Sequence, residues 1–372
     1  MSRYPFLLAV GLLTGTIIGA GIFSLPFLFQ AAGIGAGIAY LLIGAAVYIF
    51  IYTLYADIAL RTPGEHRFVG YARLYLGKTA ALASVVMTII EVILVLTIYL
   101  ILSQSFGRLV FGAGSENFTL LLFWVIGSLS LFWSVKRIAW FEFLITAGMI
   151  AIIALIFLFG LPRLPVLTVG DFSANFPWLL LPLAPVLFSL SGRAGILPLL
   201  KLIPAKQVVK AITIGTVLSA LVYALFSVSV IVLSPVVSED AVSGLVGSLP
   251  AFMMAAIGVF GLFSLISSYT TVGFDVYKSL ELDIQASWWL RALVVVLGPI
   301  LFFLAGLRSF LTLVGFVGGI FLALEGLMII WMWVSANHIS KRPPLLTKKI
   351  TVAGLVGAGL VFAVALVYEI IK

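Results

Sequence analysis

The chain has 372 residues and a formal net charge of +8; 63% of its residues are hydrophobic and only 9% are charged. Soluble domains are about half apolar and about a quarter charged, so this composition excludes an ordinary soluble protein and predicts a chain that lies mostly in lipid. No cysteine is present, which excludes disulfides, thiol nucleophiles and iron–sulfur clusters.

Long apolar runs recur from end to end of the chain. A helix of about 20 such residues crosses the ~30 Å hydrocarbon core of a bilayer, so the runs predict an all-α, polytopic membrane protein with eleven transmembrane helices. These cover roughly residues 6–29, 34–58, 80–105, 118–134, 139–160, 177–200, 208–233, 250–276, 289–306, 310–334 and 350–371. No small-residue cleavage pattern follows the first run, which is therefore predicted to be a retained helix.

The basic residues between these runs are distributed unevenly, which predicts an orientation. Sixteen lie before the first run or in alternate loops, and four lie on the opposite side. Because cytoplasmic loops are enriched in Lys and Arg, the richer side is predicted to face the cytoplasm. We therefore expect a multi-pass protein of the cytoplasmic (inner) membrane, with a cytoplasmic N-terminus and an external C-terminus. Arg193 belongs to neither side.

Two segments of the chain share a pattern. Residues 19–26 read GAGIFSLP and residues 193–198 read RAGILP. Gly21 and Gly195 are 174 residues apart, and the same shift places predicted helices two to five on helices seven to ten. Because each unit has an odd number of helices, the second crosses in the opposite sense, giving an inverted repeat of the kind found in transporters. The predicted parts are a first five-helix repeat (1–176), a second, inverted five-helix repeat (177–334), and a cytoplasmic loop with helix eleven (335–372).

Both segments interrupt an apolar helix, with the breaks predicted at residues 19–21 and 192–195. In the first helix Gly11, Gly15 and Gly19 recur every four residues, which close packing against another helix also explains. Gly21 and Pro26 favour unwound backbone, which at membrane depth occurs only where it lines a cavity or site. Exposed N–H groups at such breaks suit a carboxylate, and exposed carbonyl groups suit an ammonium group, so a zwitterionic amino acid matches both. The sixth helix is similarly interrupted by small and polar residues, Ser189, Ser191, Gly192 and Gly195.

Residues 15–26 (GTIIGAGIFSLP) and 187–198 (LFSLSGRAGILP) resemble the first-helix and sixth-helix motifs of the amino-acid/polyamine/organocation superfamily, which has the leucine-transporter fold. They are similar to those of the aromatic amino-acid permeases in its amino acid/auxin permease branch. The resemblance covers helices one to ten, although only these two motifs are specific. It implies a substrate carboxylate near Ala20 and Gly21 and a side chain between helices three, six and eight. The expected substrate-binding residues are Thr16, Gly19, Ala20, Gly21, Glu91, Ser189, Ser191, Gly192, Arg193 and Gly195.

Helix eight carries a polar stripe on one face, formed by Ser264, Ser267, Ser268, Thr271 and Asp275. Single hydroxyl groups in membrane helices usually bond to their own backbone, but five polar residues on one face favour a polar site. In sodium-coupled proteins that this chain resembles, helix-eight hydroxyl groups join helix-one carbonyl groups around a cation. The resemblance thus implies an ion site whose hard oxygen ligands suit Na⁺. Its expected residues are Gly15, Ile18, Ser264, Ser267, Ser268 and Thr271.

Glu91, Arg193 and Glu325 lie deep within predicted helices three, six and ten. Buried carboxylates are costly and usually functional. Three interpretations stay open: an ion pair with Arg193, a proton-coupling carboxylate, or a cavity wall in contact with water. Arg193 departs from the resemblance, because the permeases tend to have a small residue or histidine there. It could bind an acidic substrate side chain, substitute for a cation, or hold one of the two carboxylates.

These features predict a symporter that imports a neutral hydrophobic or aromatic amino acid with Na⁺ or H⁺ by alternating access. The alternative is an uncoupled exchanger, a channel-like protein or a substrate sensor on the same fold. The helices carry neither a nucleophile with its base nor an Asp-rich metal motif, so we expect no enzyme and no catalytic residue. We expect no cofactor and no metal beyond Na⁺. The expected partners are the amino acid and membrane lipid, without nucleic acid or an obligate protein partner.

Overall fold

The computed structural model describes residues 4–340, 342–344 and 351–372. Within these ranges the regular elements are helices, as the composition predicts. Eight helices are long and apolar enough to cross a membrane, or nine if the bent pair Pro5–Ile17 and Ala20–Ala32 is one span. Four basic residues that contribute to the predicted orientation lie outside the described residues: Arg3, Lys341, Lys348 and Lys349.

The first part of the chain forms long helices joined by short turns. They are α1 (Tyr4–Ile17), α2 (Leu25–Ala32), α3 (Ile34–Arg61), α4 (Phe68–Leu76), α5 (Lys78–Phe111), α6 (Glu116–Ser130) and α7 (Val135–Gly160). Glycine permits two of the turns, since Gly33 and Gly77 precede α3 and α5 with φ of 96° and 88°, where side chains are strained. The helices can therefore follow one another with almost no connecting loop.

The second part begins with a loop that contains the short α8 (Val169–Phe172), closed by a capping box of Thr168 and Asp171. The remaining helices are α9 (Leu183–Ser189), α10 (Ile196–Leu202), α11 (Ala205–Leu233), α12 (Ala251–Leu282), α13 (Trp288–Ala292), α14 (Gly298–Leu304), α15 (Phe310–Phe316), α16 (Ala323–Ile339) and α17 (Val352–Ile371). Wider π-helical turns at Leu293–Leu297 and Val317–Leu322 connect α13 to α14 and α15 to α16.

Most of the predicted spans coincide with helices of spanning length. The predicted span 6–29 is the bent pair, while 118–134 and 289–306 coincide with the shorter apolar helices Glu116–Ser130 and Trp288–Leu304. Some helices are longer than predicted: span three ends at residue 105, whereas α5 continues to Phe111, and span eight ends at residue 276, whereas α12 continues to Leu282. The number eleven and the inverted repeat stay predictions.

The centre of the molecule is built from α1, α5 and α12. α1 packs against α7, α10, α11 and α12, and α12 packs against α5 and α7. At the periphery large apolar side chains are exposed, as in α17, where Val356, Leu360, Val364 and Val367 lie on the outer face. A soluble protein would not expose so much apolar surface to water. The outer surface is therefore suited to lipid, and the polar groups lie inside.

Candidate functional site

The first break lies between α1 and α2. α1 ends at Ile17, a 3₁₀ turn runs over Ala20–Ser24, and the two halves are bent by 46°. The amide of Gly19 donates to the carbonyl group of Ile17 at 2.8 Å, two residues back instead of four, so α-helical bonding stops here. A Cβ on Gly21 would lie 2.4 Å from the Cα of Ser189. The first break therefore packs directly on the backbone of the second.

The second break lies between α9 and α10. Residues 190–192 are non-helical, and Arg193–Gly195 form a 3₁₀ turn before α10 begins. The unwound residues thus begin earlier than expected, at 18–19 and 190–192, while Ala20, Gly21 and Arg193–Gly195 are already wound. The reason lies in Pro26 and Pro198, which stand in the first turns of α2 and α10. Proline is tolerated there because those positions need no N–H partner, so winding resumes just before it.

Two buried tyrosines, which no sequence motif singles out, hold the interrupted helices together. The hydroxyl oxygen of Tyr223 lies 2.6 Å from the carbonyl oxygen of Ile17 and 2.7 Å from that of Ser189. Tyr52 donates to the carbonyl group of Leu190 at 2.6 Å. These carbonyl groups lost their helical partners at the breaks, so the tyrosines satisfy them. Nothing in a single sequence marks these tyrosines, because their partners are more than 30 residues away.

A cavity of about 50 Å³ lies between the two breaks. Eight of the predicted substrate-binding residues line it: Thr16, Gly19, Ala20, Gly21, Glu91, Ser191, Gly192 and Arg193. Its apolar walls are formed by Ile17, Val92, Val95, Phe188, Ala194, Val272, Val276 and Leu322, and its remaining lining residues are Tyr99, Asp275 and Glu325. A volume of this size holds only a few water molecules. The lining helices must therefore move apart to admit an amino acid.

Ser189 and Gly195, also expected at the substrate site, are not among the residues that line this cavity. The Ser189 hydroxyl donates to the carbonyl group of Pro185 at 2.7 Å. A Cβ on Gly195 would lie 3.0 Å from Oγ1 of Thr16. In this structure the two small residues allow the interrupted helices to approach closely.

Four buried charged side chains form a continuous chain of ion pairs along one wall of the cavity. Nε of Arg193 lies 2.6 Å from Oε2 of Glu325, and its Nη1 lies 3.0 Å from Oδ2 of Asp275. The second oxygen of Asp275 lies 2.6 Å from Nη1 of Arg67. The ring of Phe68 lies 4.9 Å from the Arg193 guanidinium group. Because Arg193 is engaged on both sides, it is poorly suited to bind an acidic substrate side chain.

Glu91 lines the same cavity without an ion-pair contact to any residue that the structure describes. Its side chain is 9% exposed, and Oε2 has no hydrogen-bond partner within the described ranges. Of the two deep carboxylates for which an ion pair with Arg193 was one interpretation, the one that forms it is Glu325. Glu91 is left as an unpaired acceptor on the cavity wall, and its role as a proton-coupling residue or a wall in contact with water stays a prediction.

The polar stripe of α12 meets the end of α1. Ser264 donates to the carbonyl group of Ile18 at 3.2 Å, and a Cβ on Gly19 would lie 3.0 Å from Oγ of Ser268. The buried hydroxyl groups of Ser267 and Ser268 have no hydrogen-bond partner among the described residues. No group of three or more His, Cys, Asp or Glu side chains in the described ranges could hold a metal ion. Unpaired hydroxyl groups beside a carbonyl group nevertheless suit a hard monovalent cation such as Na⁺.

Glu142 of α7 lies beside this stripe and was missed by the sequence analysis. Its side chain is 1% exposed, and Oε1 accepts a hydrogen bond from Thr271 at 2.5 Å. A Cβ on Gly15 would lie 2.4 Å from Oε2 of Glu142, so the glycine leaves room for the carboxylate. In the sequence Glu142 closely follows Lys136 and Arg137, which is typical of a helix end at the membrane surface. Its burial follows only from the packing of α7 against α1 and α12.

Comparison with known families identifies the chain. The profile of the tryptophan/tyrosine permease family matches residues 3–372, which is nearly the whole length. The chain belongs to the tryptophan/tyrosine permease family. This permease is therefore a multi-pass membrane transporter and not an enzyme, as its sequence predicts. No curated protein matches its sequence.

Solved transporter structures share the fold of the permease. MhsT in complex with L-phenylalanine is 15% identical with a TM-score of 0.72, and the match covers 100% of the permease and 98% of MhsT. Mhp1, a nucleobase-cation-symport-1 family transporter in a closed conformation with bromovinylhydantoin bound, is 14% identical with a TM-score of 0.65, covering 98% of the permease and 92% of Mhp1. The inward-facing conformation of Mhp1 is 14% identical with a TM-score of 0.64, and the match covers 99% of the permease and 88% of that Mhp1 chain. These similarities support the leucine-transporter fold that the two motifs imply, and at this identity they show the fold alone.

Proposed function

We propose that this permease is a secondary active symporter that imports an aromatic amino acid with Na⁺ or H⁺ by alternating access. The observation that carries the proposal is the pair of helix breaks that meet at one buried cavity. The family is named for tryptophan and tyrosine, and MhsT, which has the same fold, was solved with L-phenylalanine. Both facts support an aromatic amino acid as the substrate.

The breaks suit the polar end of an amino acid. The 3₁₀ turn at Ala20–Ser24 begins at the cavity, and the first N–H groups of a helical turn lack partners within it. These groups carry partial positive charge, so the substrate carboxylate would bind near Ala20 and Gly21. The ends of α1 and α9 carry partial negative charge, which suits the substrate ammonium group.

The rest of the cavity suits an aromatic side chain with a hydrogen-bond donor. Apolar side chains such as Val95, Phe188 and Val272 form a wall for a ring. The unpaired Oε2 of Glu91 provides an acceptor on the same cavity. The phenol group of tyrosine and the indole N–H of tryptophan both donate a hydrogen bond, whereas the ring of phenylalanine does not. We therefore expect tyrosine and tryptophan to be preferred over phenylalanine.

The coupling ion is proposed to bind where α12 meets α1. Candidate ligands for Na⁺ are Gly15, Ile18, Ser264, Ser267, Ser268 and Thr271. The contact between Ser264 and Ile18 and the unpaired hydroxyl groups of Ser267 and Ser268 support this place. For H⁺ the candidates on the substrate cavity are Glu91 and Glu325, of which Glu325 is held by Arg193. A cation bound beside the first break would stabilise the conformation of α1 that binds the substrate.

The proposed architecture has eleven transmembrane helices: an inverted repeat over residues 1–176 and 177–334, followed by helix eleven. We further propose a place in the amino-acid/polyamine/organocation superfamily, in its amino acid/auxin permease branch. The permease would lie in the inner membrane with its N-terminus in the cytoplasm and its C-terminus outside, in contact with lipid and without an obligate protein partner. The uneven distribution of basic residues supports this orientation.

Uptake by the purified permease in liposomes tests the proposed function. Each of the twenty amino acids is offered in labelled form under an imposed Na⁺ gradient, an imposed proton gradient, or neither. We expect tyrosine and tryptophan to accumulate above the outside concentration under one of the two gradients. Exchange of aromatic amino acids without accumulation would favour an uncoupled exchanger. Uptake of none of the twenty under any condition would contradict the transporter proposal.

A further inference from the structure

Glu142 is a buried carboxylate with no basic ion-pair partner among the residues that the structure describes. Among the ion pairs of the described residues none includes Glu142, and the buried Arg193 and Arg67 are engaged elsewhere, Arg193 with Glu325 and Asp275, and Arg67 with Asp275. At 1% exposure the side chain has almost no contact with solvent. An ionised carboxylate at such a place is unfavourable by several kcal/mol unless a positive charge or a proton neutralises it.

The helices packed against α7 leave the negative charge of Glu142 unopposed. α1 has no charged side chain from Tyr4 to Ile17. α12 presents Thr271 and Ser267 to the carboxylate, and its Asp275 lies one turn further along. Tyr99 of α5 is a further titratable neighbour. The lysines of α11, Lys206 and Lys210, lie in its first two turns. Lys210 lies 5.9 Å from the ring of Phe6, which is near the start of α1, whereas Glu142 lies against Gly15 in the last turn of α1.

The groups around Glu142 supply oxygen atoms of the kind that coordinate a small cation. The carboxylate contributes two oxygens, one of which already accepts from Thr271. Ser267 lies beside the same carboxylate. Neither its hydroxyl group nor that of Ser268 has a hydrogen-bond partner of acceptable geometry among the described residues. Oxygen ligands of this kind suit Na⁺, and a carboxylate of this kind equally accepts a proton.

We propose that Glu142 is the charged group of the coupling site and is neutralised by one monovalent cation, Na⁺ or H⁺, that is taken up with the substrate. The inference rests on the proposed symport and assigns its charge to a residue outside the substrate cavity. Neutralisation of the Glu142 carboxylate affects the first break through direct packing. Glu142 lies against Gly15 in the last turn of α1, and α1 ends at Ile17, which lines the substrate cavity. The cation thereby favours the arrangement of α1 that binds the amino acid.

The test compares wild type, Glu142→Gln and the control Glu116→Gln in liposomes. Glu116 is a carboxylate on the partly exposed start of α6, paired with Arg108. With a tenfold gradient of the coupling ion and the membrane potential clamped at zero, one-to-one symport predicts an accumulation of labelled tyrosine of up to about tenfold. Glu142→Gln is expected to reach a ratio of about one, and any tyrosine exchange that it retains should no longer depend on Na⁺ or pH. The Na⁺ and proton arms of the wild-type experiment identify the cation.

A second measurement does not require transport. In detergent and without substrate, the melting temperature of wild type is expected to rise with Na⁺ or with falling pH, and that response should be absent in Glu142→Gln. If Glu142→Gln does not fold, Glu142→Asp replaces it, and its half-saturating ion concentration should differ from that of wild type. The inference is overturned if wild type responds to neither ion, or if the Glu142 variant responds and accumulates tyrosine as wild type does. If wild type transports no aromatic amino acid yet its ion response depends on Glu142, the proposed function fails and the ion site stands.

Discussion

At the level of single residues, the strongest constraint on the site is the pairing of Arg193. Replacing it by alanine leaves Glu325 without a partner and Asp275 with Arg67 alone, inside a protein where an unpaired charge costs about 3–5 kcal/mol. We expect Arg193→Ala to lower the melting temperature and the expressed amount of the permease. Adding Glu325→Gln removes the uncompensated charge, so the double variant should recover much of the lost melting temperature and of the lost expression.

Glu91 provides the control for that double variant. It faces the same cavity but forms no ion pair with Arg193 among the described residues, so Arg193→Ala with Glu91→Gln should stay less stable than Arg193→Ala with Glu325→Gln. Thermal unfolding in detergent measures all the variants. Equal rescue by the two glutamine substitutions would contradict the assignment of the ion pair to Glu325.

Glu91 also carries a prediction about substrate preference. If its free oxygen accepts the hydrogen bond of a phenol or indole group, Glu91→Leu should weaken tyrosine binding relative to phenylalanine by about tenfold, the equivalent of about 1.4 kcal/mol. Glu91→Gln keeps an acceptor oxygen and should retain most of the preference. Competition of unlabelled amino acids against labelled tyrosine gives the ratios. An unchanged tyrosine-to-phenylalanine ratio in Glu91→Leu would show that the substrate ring does not reach this residue.

At the level of helices, the contact between the two breaks is the feature most sensitive to a single methyl group. A Cβ on Gly21 would meet the backbone of Ser189 at 2.4 Å, and a backbone atom cannot turn aside as a flexible side chain can. Gly21→Ala should therefore separate α1 from α9 and abolish substrate binding. The matched control is Gly357→Ala in α17, where a Cβ meets nothing within 4 Å. Binding of labelled tyrosine measures both variants, and wild-type affinity in Gly21→Ala would contradict the proposed packing role.

Sequence predicts the helices well because the signals for them are local. Runs of apolar residues mark the spans, and glycine and proline mark the two breaks. The unwound residues were misplaced by one to three positions, because the 3₁₀ turns at Ala20–Ser24 and Arg193–Gly195 carry the chain into the next helix before the prolines are reached. Helix ends depend on such details of backbone bonding, which composition does not encode.

The site was predicted less completely than the helices, because its contacts join distant parts of the chain. The structure brings residues of both motifs to one cavity and Ser264 of the polar stripe next to Ile18, whereas their roles in binding stay predictions. The sequence did not reveal that Tyr223 bridges the two breaks, since this contact depends on how α11 packs. It also did not single out Glu142, because the burial of this carboxylate depends on the neighbours of its helix and not on the helix alone.

At the level of the whole molecule, the proposed orientation makes a prediction that the sequence renders easy to test. The chain contains no cysteine, so a single introduced cysteine reports its own side of the membrane. Val169→Cys lies in the loop after α7 and Ser287→Cys in the loop after α12, and both positions are exposed. An impermeant maleimide should label Val169→Cys in intact cells and Ser287→Cys only after permeabilisation. The reverse result would invert the proposed orientation.

The central claim is that the two breaks hold an amino acid by both of its charged groups, and equilibrium binding to the purified permease tests it most directly. Labelled L-tyrosine is displaced by L-tryptophan, by tyramine, which lacks the carboxylate, or by 3-(4-hydroxyphenyl)propionate, which lacks the amine. Hydrogen bonds to charged groups contribute about 1.5–3 kcal/mol each, so either analogue should bind at least about tenfold more weakly than L-tyrosine while L-tryptophan competes well. Displacement by either analogue as effective as that by L-tyrosine itself would contradict the account.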